Sequence, residues 1–480
     1  MKTKSNDIGC QNLEATKRAS CNTMKILLAS LMLLVALGLV PFAVDWRSPF
    51  LVDFRPLLLL GLVIFPPVLI LAQIWLLRTS HAGQRVVKVL SALGLGIATL
   101  ALTATLALEV RFHLERIQVL HADPATLEKL GRHFILGFRD LAEVRELVRL
   151  RAIAGVFLSA GNVRGKSIVQ VRDEIESLQS ERKAQGLPPL WIATDLEGGV
   201  VQRLSPPLTR LPALSDIVER HPDVEQRKQA VLQFAATQGR ELADLGVNLN
   251  FAPVVDLDHG IVNPKDRFTR ISLRAISSDP AVVAQVAGWY CAGLEEAGVR
   301  CTLKHFPGLG RVFEDTHLQH ASLTTSVNEL ANTDWAPFRA LLRQTRAFTM
   351  LGHVRLTAID KDRPVSISPS VIAGMLRGEW QHDGVLITDN FSMAAVYRSS
   401  GGMENGSIAA VNAGVDLILI SYDPDQYYRV MHALIKADQQ SRLDPEALQR
   451  SDRRLAGAVR CIPSSTGEDK DGGATRGNRL

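Results

Sequence analysis

Several short runs of apolar and β-branched residues in the second part of the chain end in side chains that can do chemistry. Burying such groups costs free energy unless they are paired or used. A carboxylate held at such a position can act as a nucleophile, and the others can bind a polar substrate. The residues concerned are Asp195, Glu197, Asp256, Lys304, His305, His353 and Asp389.

A second pattern places a carboxylate two residues before an imidazole, at Asp315 and His317 in the run FEDTH. An imidazole can donate a proton and later remove one if a neighbouring carboxylate fixes its tautomer and supports its charged form. The alternative for His317 is an ordinary solvent-exposed histidine. The alternative for Asp389 is a residue that only caps the next helix.

The runs that carry these residues alternate with amphipathic stretches, which is typical of βα units and a parallel sheet. Eight such units predict an α/β fold of the TIM (β/α)8 barrel type over residues 118–462, with the chemistry at the carboxyl ends of the strands. The predicted strands are 134–138, 154–159, 190–195, 248–254, 302–306, 348–353, 385–389 and 417–421. The helix-like stretches include 143–151, 226–245, 281–297 and 327–343.

Three apolar runs without acidic or basic residues lie near the N-terminus, at 26–44, 56–77 and 89–108. Each has about the 20 residues that a membrane-spanning helix needs. We therefore predict a transmembrane region of about three helices over residues 24–110. The alternative is a cleaved signal peptide followed by two buried helices, but no small-residue cleavage site follows the first run.

The basic residues around these runs predict the orientation, since Lys and Arg in short flanks are retained on the cytoplasmic side. Five of them precede the first run, namely Lys2, Lys4, Lys17, Arg18 and Lys25. Residues 1–23 are thus expected to be cytoplasmic, and three spans place the rest outside the cytoplasmic membrane. If the second run, which contains Pro66 and Pro67, did not span, the orientation of the catalytic part would be reversed.

Composition excludes other classes of protein. The net charge of +5 is not concentrated in a basic stripe with aromatic residues, so no nucleic-acid partner is expected.

The five cysteines lack metal-site spacing, and we expect most of them to be unpaired, a Cys291–Cys301 bridge being the alternative. Cys21 does not follow an apolar leader as a lipidated cysteine would. Residues 463–480 are small, polar and charged, and are predicted to be disordered.

Three motifs resemble glycoside hydrolase family 3, specifically its single-domain bacterial β-N-acetylglucosaminidases. They are WIATDLEGGVVQRL, KHFPGLGRVFEDTH and LITDNFSM, which occur in the family's order. The likeness extends over nearly all of residues 130–460. The resemblance implies that Asp389 is the nucleophile of a retaining hydrolase and that His317, held by Asp315, is its acid/base.

The same resemblance implies a set of sugar-binding residues, namely Asp195, Arg203, Arg274, Lys304 and His305. Surface ion pairs are the alternative for Arg203 and Arg274. Glu197 and His353 also fit family patterns and are expected to support the site without reacting. No metal or organic cofactor is expected.

The sequence departs from the family pattern at several positions. Leu309 replaces the second His of KHFPGHG, Val200 replaces a common Arg, and Asn390 follows the nucleophile in place of a second Asp. Ala321 replaces a common Pro, and the stretch HGIVNPKDRFTRI before Arg274 is longer than usual. These changes put the leaving-group specificity and the position of Arg274 in question.

The resemblance implies release of terminal β-linked N-acetylglucosamine from cell-wall (peptidoglycan) fragments at a bacterial inner membrane. A β-glucosidase, or a phosphorylase in which phosphate replaces water, is the alternative within the same fold. A membrane-tethered barrel without catalysis is the alternative from another class. Retention of Asp389, Asp315 and His317 argues against that last reading.

Overall fold

The computed structural model describes residues 3–399 and 401–459, with side chains from residue 16 onward. The predicted tail at 463–480 and Cys461 lie outside the described residues. The chain divides into two compact units, Met1–Ile117 and Gln118–Leu480.

The first unit is built from three long helices, α1 (Thr3–Asp45), α2 (Arg55–Thr79) and α3 (Arg85–Leu120), with a 3₁₀ turn at Pro49–Leu51. Each contains one of the predicted apolar runs, and α2 continues through Pro66 and Pro67. By length and composition, Thr16–Asp45, α2 and α3 could each cross a membrane.

Packing within this unit involves two buried apolar clusters. Ala43, Trp46, Leu62 and Ala101 form one buried cluster, and a second contains Ala29, Leu76 and Val87. The outward faces are also apolar, since Leu27, Leu57 and Leu71 are 62%, 71% and 68% exposed. A helix bundle that is apolar both inside and outside is the pattern expected of helices in lipid.

The second unit contains eight strands in two parallel sheets. In chain order they are β1 (Phe134–Gly137), β2 (Gly155–Leu158), β3 (Trp191–Thr194), β4 (Leu249–Asn250), β5 (Thr302–Phe306), β6 (Phe348–Leu351), β7 (Leu386–Thr388) and β8 (Ile418–Ile420). Four further strands form two small pairs, Leu196–Gly198 with Val201–Gln202 and Ala321–Leu323 with Val354–Leu356.

The strand order is β8-β1-β2-β3-β4 in the larger sheet and β7-β6-β5 in the smaller. Isolated parallel bridges join Leu249 to Arg300, Val254 to Lys304 and Ile387 to Leu417. All residues of these eight strands are buried, as expected of parallel sheets covered on both faces. Side chains from successive strands form one core that includes Phe157, Trp191, Phe348 and Leu419.

Helices separate the strands and carry the capping signals that their sequences contain. Helix α9 (Val224–Leu245) begins after Asp223, which accepts a hydrogen bond from Gln226 N at 2.9 Å, and is followed by Gly246 in the left-handed region (φ 89°). Helix α10 (Pro280–Glu296) begins in the same way after Asp279, with Pro280 as its first residue. The helices of this unit are α4 (Pro124–Gly131), α5 (Leu141–Arg149), α6 (Ala160–Val163), α7 (Ile168–Ala184), α8 (Leu214–Arg220), α9 (Val224–Leu245), α10 (Pro280–Glu296), α11 (Val327–Asn332), α12 (Trp335–Gln344), α13 (Ala394–Tyr397), α14 (Gly402–Ala413), α15 (Asp425–Gln439) and α16 (Pro445–Val459). Short 3₁₀ turns lie at Ile271–Leu273 and Val365–Ile367, and Ser370–Glu379 is a π-helix.

Each of the eight predicted strands contains an observed strand, and TLKHF coincides with β5. The run at 248–254 is an exception in length, because only Leu249–Asn250 pairs as a strand. The predicted helix at 327–343 is two helices, α11 and α12. The α/β fold preceded by three apolar helices is confirmed.

One expectation about the cysteines is wrong. Cys291 and Cys301 form a disulfide, with their Cα atoms 5.4 Å apart, while Cys21 is free and exposed. Cys291 lies on α10 and Cys301 immediately precedes β5, and this helix packs back toward the start of the strand. Ten residues of separation carry no local motif, so the spacing alone did not indicate the bond.

Candidate active site

Asp389 lies directly after β7, where its backbone N–H donates to Leu351 O of the neighbouring strand at 2.9 Å. Its carboxylate accepts a hydrogen bond from Asn390 N at 2.7 Å, the only one to that group among the described residues. Burial raises the pKa of Asp389, but His305, His353 and His317 outweigh this effect and hold the pKa below its usual value. The carboxylate is therefore ionised near neutral pH, and its oxygens can accept further hydrogen bonds.

His317 lies on the loop after β5, and Asp315 holds its ring. The distance from His317 Nδ1 to Asp315 Oδ1 is 3.1 Å, and the imidazole remains one-third exposed. The loop reaches the segment after Asp389, because Ala394 N donates to the backbone oxygen of His317 at 3.1 Å. An ionised acceptor at Nδ1 assigns the N–H to that nitrogen and leaves Nε2 for proton transfer.

Asp315 is buried and fully satisfied, in contrast to Asp389. Its Oδ1 lies within 3.1 Å of three donors, which are His317 N, His317 Nδ1 and Thr269 Oγ1. Its Oδ2 accepts from Arg267 N at 3.1 Å and from Phe268 N at 3.2 Å. Burial raises the pKa of Asp315, but these hydrogen bonds and the His317 ring lower it well below its usual range. Such a carboxylate can orient an imidazole but has no lone pair left for attack.

A buried ion-pair network joins the segment that follows β3 to Lys304 within β5. Lys304 Nζ is 2.9 Å from Asp195 Oδ1 and 2.7 Å from Glu197 Oε1, and its side chain is only 2% exposed. Arg203 Nε binds the other oxygen of Asp195 at 2.9 Å. Burial raises the pKa of Asp195, but Lys304 and Arg203 outweigh it and hold the pKa below its usual range.

Arg274 completes this network from the segment before α10. Its Nε and Nη2 bind the two oxygens of Glu197 at 3.0 and 2.7 Å, a bidentate pair. Its Nη2 also lies 3.4 Å from His305 Nε2. Burial lowers the pKa of Arg274, but Glu197 outweighs it, so the pKa is raised and the charge is fixed. The stretch before Arg274 is longer than usual, yet the Arg274 guanidinium lies among the candidate sugar-binding residues.

Two further histidines are held by buried hydrogen-bond partners. His305 Nδ1 lies 2.7 Å from Asp256 Oδ2, and Asp256 also accepts from Leu309 N at 2.7 Å. His353 contacts Ser366 Oγ at 2.6 Å through Nδ1 and the Asn390 backbone oxygen at 3.0 Å through Nε2. Burial lowers the pKa of His353, and the charge of Asp389 opposes this effect without outweighing it.

The structure thus brings the residues selected from the sequence to one end of the parallel strands. Sequence reasoning assigned no role to Asp256, although it was noted as a strand-end residue, and it missed Thr269, Phe268 and Ser366. No local signal identifies Thr269, whose contacts to Asp315 and His317 span more than 45 residues. Among the described residues, no group of His, Cys, Asp or Glu is arranged to hold a metal ion.

Three of the residues that depart from the family pattern lie in different structural surroundings. Leu309 is buried and its backbone, in place of a side chain, binds Asp256. Val200 is 49% exposed. The amide oxygen of Asn390 accepts a hydrogen bond from Ser421 N at 3.1 Å, which joins the segment after β7 to the end of β8.

Curated relatives match about two thirds of the chain. A protein named beta-hexosaminidase from Stenotrophomonas maltophilia is 34% identical over 301 residues, which are 62% of this chain and 85% of that protein. A beta-hexosaminidase from Idiomarina loihiensis is 30% identical over 321 residues, 67% of this chain and 91% of that protein.

Solved structures give the same likeness. A glycoside hydrolase family 3 beta-N-acetylglucosaminidase from Paenibacillus matches with a TM-score of 0.64 and 30% identity, over 74% of this chain and 65% of that one. The chain thus spans slightly less than two thirds of the Paenibacillus protein. A beta-N-acetylhexosaminidase from Beutenbergia cavernae matches with a TM-score of 0.60 and 29% identity, over 71% of this chain and 99% of that one.

The family model described as "Glycosyl hydrolase family 3 N terminal domain" matches residues 117–457, which is most of the chain and nearly all of the described second unit. The resemblance carried by the three sequence motifs is therefore confirmed, as is the enzyme class, a glycosidase. The chain belongs to glycosyl hydrolase family 3.

Proposed function

We propose that the protein is a retaining β-N-acetylhexosaminidase that releases terminal β-linked N-acetylglucosamine, with peptidoglycan fragments as its source. The observation that carries this proposal is the pairing of an ionised, partly buried carboxylate at Asp389 with a carboxylate-supported imidazole at His317. The names of the relatives support the sugar, and the residues support the mechanism.

The proposed reaction has two steps. The Asp389 carboxylate attacks the anomeric carbon while His317 Nε2–H protonates the departing glycosidic oxygen, which gives a covalent glycosyl-enzyme. The neutral Nε2 then removes a proton from water, which attacks the same carbon, breaks the ester bond and restores Asp389. Asp315 fixes the tautomer in both steps, and no external proton donor is required.

The sugar-binding assignment rests on the buried ion-pair network. Asp195, Lys304 and Arg203 would bind hydroxyl groups through charge-assisted hydrogen bonds, and Arg274 and His305 would line the same pocket. Glu197 would act indirectly, because its oxygens already bind Arg274 and Lys304.

We further propose that residues 118–462 form a closed (β/α)8 barrel that is the catalytic domain. Eight parallel strands support this, together with the bridges that link β4 to β5 and β7 to β8. In such a barrel the carboxyl ends of all strands meet at one mouth, where Asp195, Lys304 and Asp389 would lie.

We also propose that α1 to α3 span the bacterial inner membrane, with residues 1–23 in the cytoplasm and the catalytic domain outside. The apolar outer faces of the helices support the membrane location, and the basic N-terminal residues support the orientation. The Cys291–Cys301 disulfide gives independent support, since such bonds persist in oxidising compartments. A reporter enzyme active on only one side of the membrane, fused after Leu108, tests the orientation.

The activity is tested with the full chain in detergent micelles and 4-nitrophenyl β-N-acetylglucosaminide. We expect nitrophenol release, retention of the β-anomer in the first product by NMR, and loss of activity in Asp389→Ala. Asp244→Asn, at an exposed site, is the control. A slowly released fluorinated donor should label Asp389 in a peptide map. Equal rates in Asp389→Ala and the wild type would overturn the proposal, and a sugar phosphate product in phosphate buffer would favour the phosphorylase.

A further inference from the structure

The segment between β4 and α10 folds into a tight turn around Asp266. The carboxylate of Asp266 accepts hydrogen bonds from Thr269 N at 2.9 Å and from Arg270 N at 2.7 Å. Arg270 has a φ of 40°, in the left-handed region that a non-glycine residue adopts only at a local cost. The turn therefore fixes the direction in which the preceding residues face.

This turn presents its backbone and side chains to the loop that carries the proposed acid/base. Arg267 N and Phe268 N donate to Asp315 Oδ2, and the Phe268 ring lies 5.4 Å from the His317 ring between centroids. Thr269 is 3% exposed, so its hydroxyl is shielded from water. Two separate loops are thus joined at Asp315 and His317.

The Thr269 hydroxyl has a defined set of partners. It lies 3.1 Å from Asp315 Oδ1 and 3.3 Å from both His317 Nδ1 and Thr316 Oγ1, and Thr316 N donates to it at 3.3 Å. An ionised Asp315 is only an acceptor, so the single hydroxyl proton goes to Asp315. The Thr269 oxygen can then accept from His317 Nδ1–H, which it shares with Asp315.

The backbone of Thr269 makes a second connection. Its carbonyl oxygen accepts a hydrogen bond from Arg274 Nη1 at 2.7 Å, and the same guanidinium binds Glu197 through Nε and Nη2. One residue therefore touches the proposed proton donor through its hydroxyl and the proposed sugar-binding network through its carbonyl.

We propose that Thr269 is a positioning residue that holds His317 as the Nδ1–H tautomer, with Nε2 directed to the leaving group, and ties this geometry to Arg274. The proposal rests on the proposed role of His317. In this proposal the long stretch before Arg274 orients the proton donor, His317. Because Thr269 acts through His317, its removal should matter most when the leaving group needs a proton.

The test compares Thr269→Val, which keeps the shape and removes the hydroxyl, with Thr269→Ser, which keeps the hydroxyl. The full chain in detergent is assayed for kcat/KM, which covers steps up to sugar–enzyme bond formation. Two substrates are used, a phenyl β-N-acetylglucosaminide and its 2,4-dinitrophenyl counterpart, whose leaving group departs without protonation. Thr237→Val, on the outer face of α9, is the matched control.

We expect Thr269→Val to lower kcat/KM for the phenyl substrate about 10-fold, as for the loss of one oriented hydrogen bond, and for the dinitrophenyl substrate less than about 2-fold. Thr269→Ser should recover most of the loss. An equal loss for both substrates, no loss, or no recovery in Thr269→Ser would each overturn the proposal. An inactive wild type, or full activity in Asp389→Ala, would instead overturn the proposed function on which it rests.

Discussion

Arg274 and Glu197 face each other in a bidentate ion pair, with Nε to Oε2 at 3.0 Å and Nη2 to Oε1 at 2.7 Å. Both side chains are only 7% exposed. Lys304 binds the same carboxylate as well as Asp195, so Glu197 is shared by two buried cations. If one member of such a group is removed, the remaining buried charges have neither their partner nor water around them. The resulting loss of folding free energy is larger than the net contribution of the ion pair to stability.

Replacing Glu197 by Ala should therefore destabilise the protein by about 3 to 5 kcal/mol, because Arg274 and Lys304 lose their shared acceptor. Thermal unfolding of the full chain in detergent measures the effect. Glu219→Ala, at an exposed position on α8, should leave the transition within about 0.5 kcal/mol of the wild type. A change of that small size in Glu197→Ala would contradict the argument.

The same carboxylate should make stability depend on pH in the acid range. Burial raises the pKa of Glu197, but Arg274 and Lys304 outweigh it and lower the pKa from 4.5 to about 2. A folded-state pKa below the unfolded value contributes stability that is present above pH 4.5 and lost as the pH falls toward 2. Glu197→Gln should thus be less stable than the wild type at pH 7, and the difference should shrink between pH 4.5 and 2 in unfolding curves. A constant difference would argue against the shift.

Lys304→Met should impair substrate binding by the proposed network. It removes the ammonium that bridges Asp195 and Glu197, and leaves two carboxylates without their shared donor. We expect kcat/KM to fall about 10- to 100-fold, as for the loss of one or two charged hydrogen bonds. Lys183→Met, on the exposed end of α7, provides the same chemical change as a control, and similar kinetics in both variants would contradict the assignment.

Asp315→Asn should impair proton transfer. Every oxygen of Asp315 faces N–H or O–H donors, so an amide NH₂ in either orientation would oppose at least two of them. We expect kcat/KM for the phenyl substrate to fall about 100-fold or more, within the range of general acid catalysis, and the loss to be smaller for the dinitrophenyl substrate. An unchanged ratio between the two substrates would show that Asp315 has no part in protonation.

The sequence predicted the strands because each is a short, fully buried run that stops at a polar side chain, as VLITD stops at Asp389. It predicted the three apolar helices because the length and composition that a membrane-spanning helix needs are local properties of the sequence. Asp195 directly follows β3 as predicted, whereas Lys304 and His305 lie within β5 and not at its end. The roles of these residues stay predictions until the variants are assayed.

Contacts between distant segments were not predictable in this way. The pairing of Cys291 with Cys301 depends on how α10 packs on β5, and the contact of Thr269 with Asp315 depends on a turn that Asp266 closes. Neither leaves a periodic or motif signal. Glu197 was expected only to support the site, yet its two cationic partners could be named only from the folded chain.

The disulfide between α10 and β5 also affects how the protein can be handled. Cys291 and Cys301 are only 4% and 3% exposed. A small reductant must contact a sulfur atom directly to open the bond, so dithiothreitol should reach this pair only when the helix separates from the strand. Purification buffers with mild thiols would then leave the cystine intact, and its opening would report loss of the native packing around Lys304.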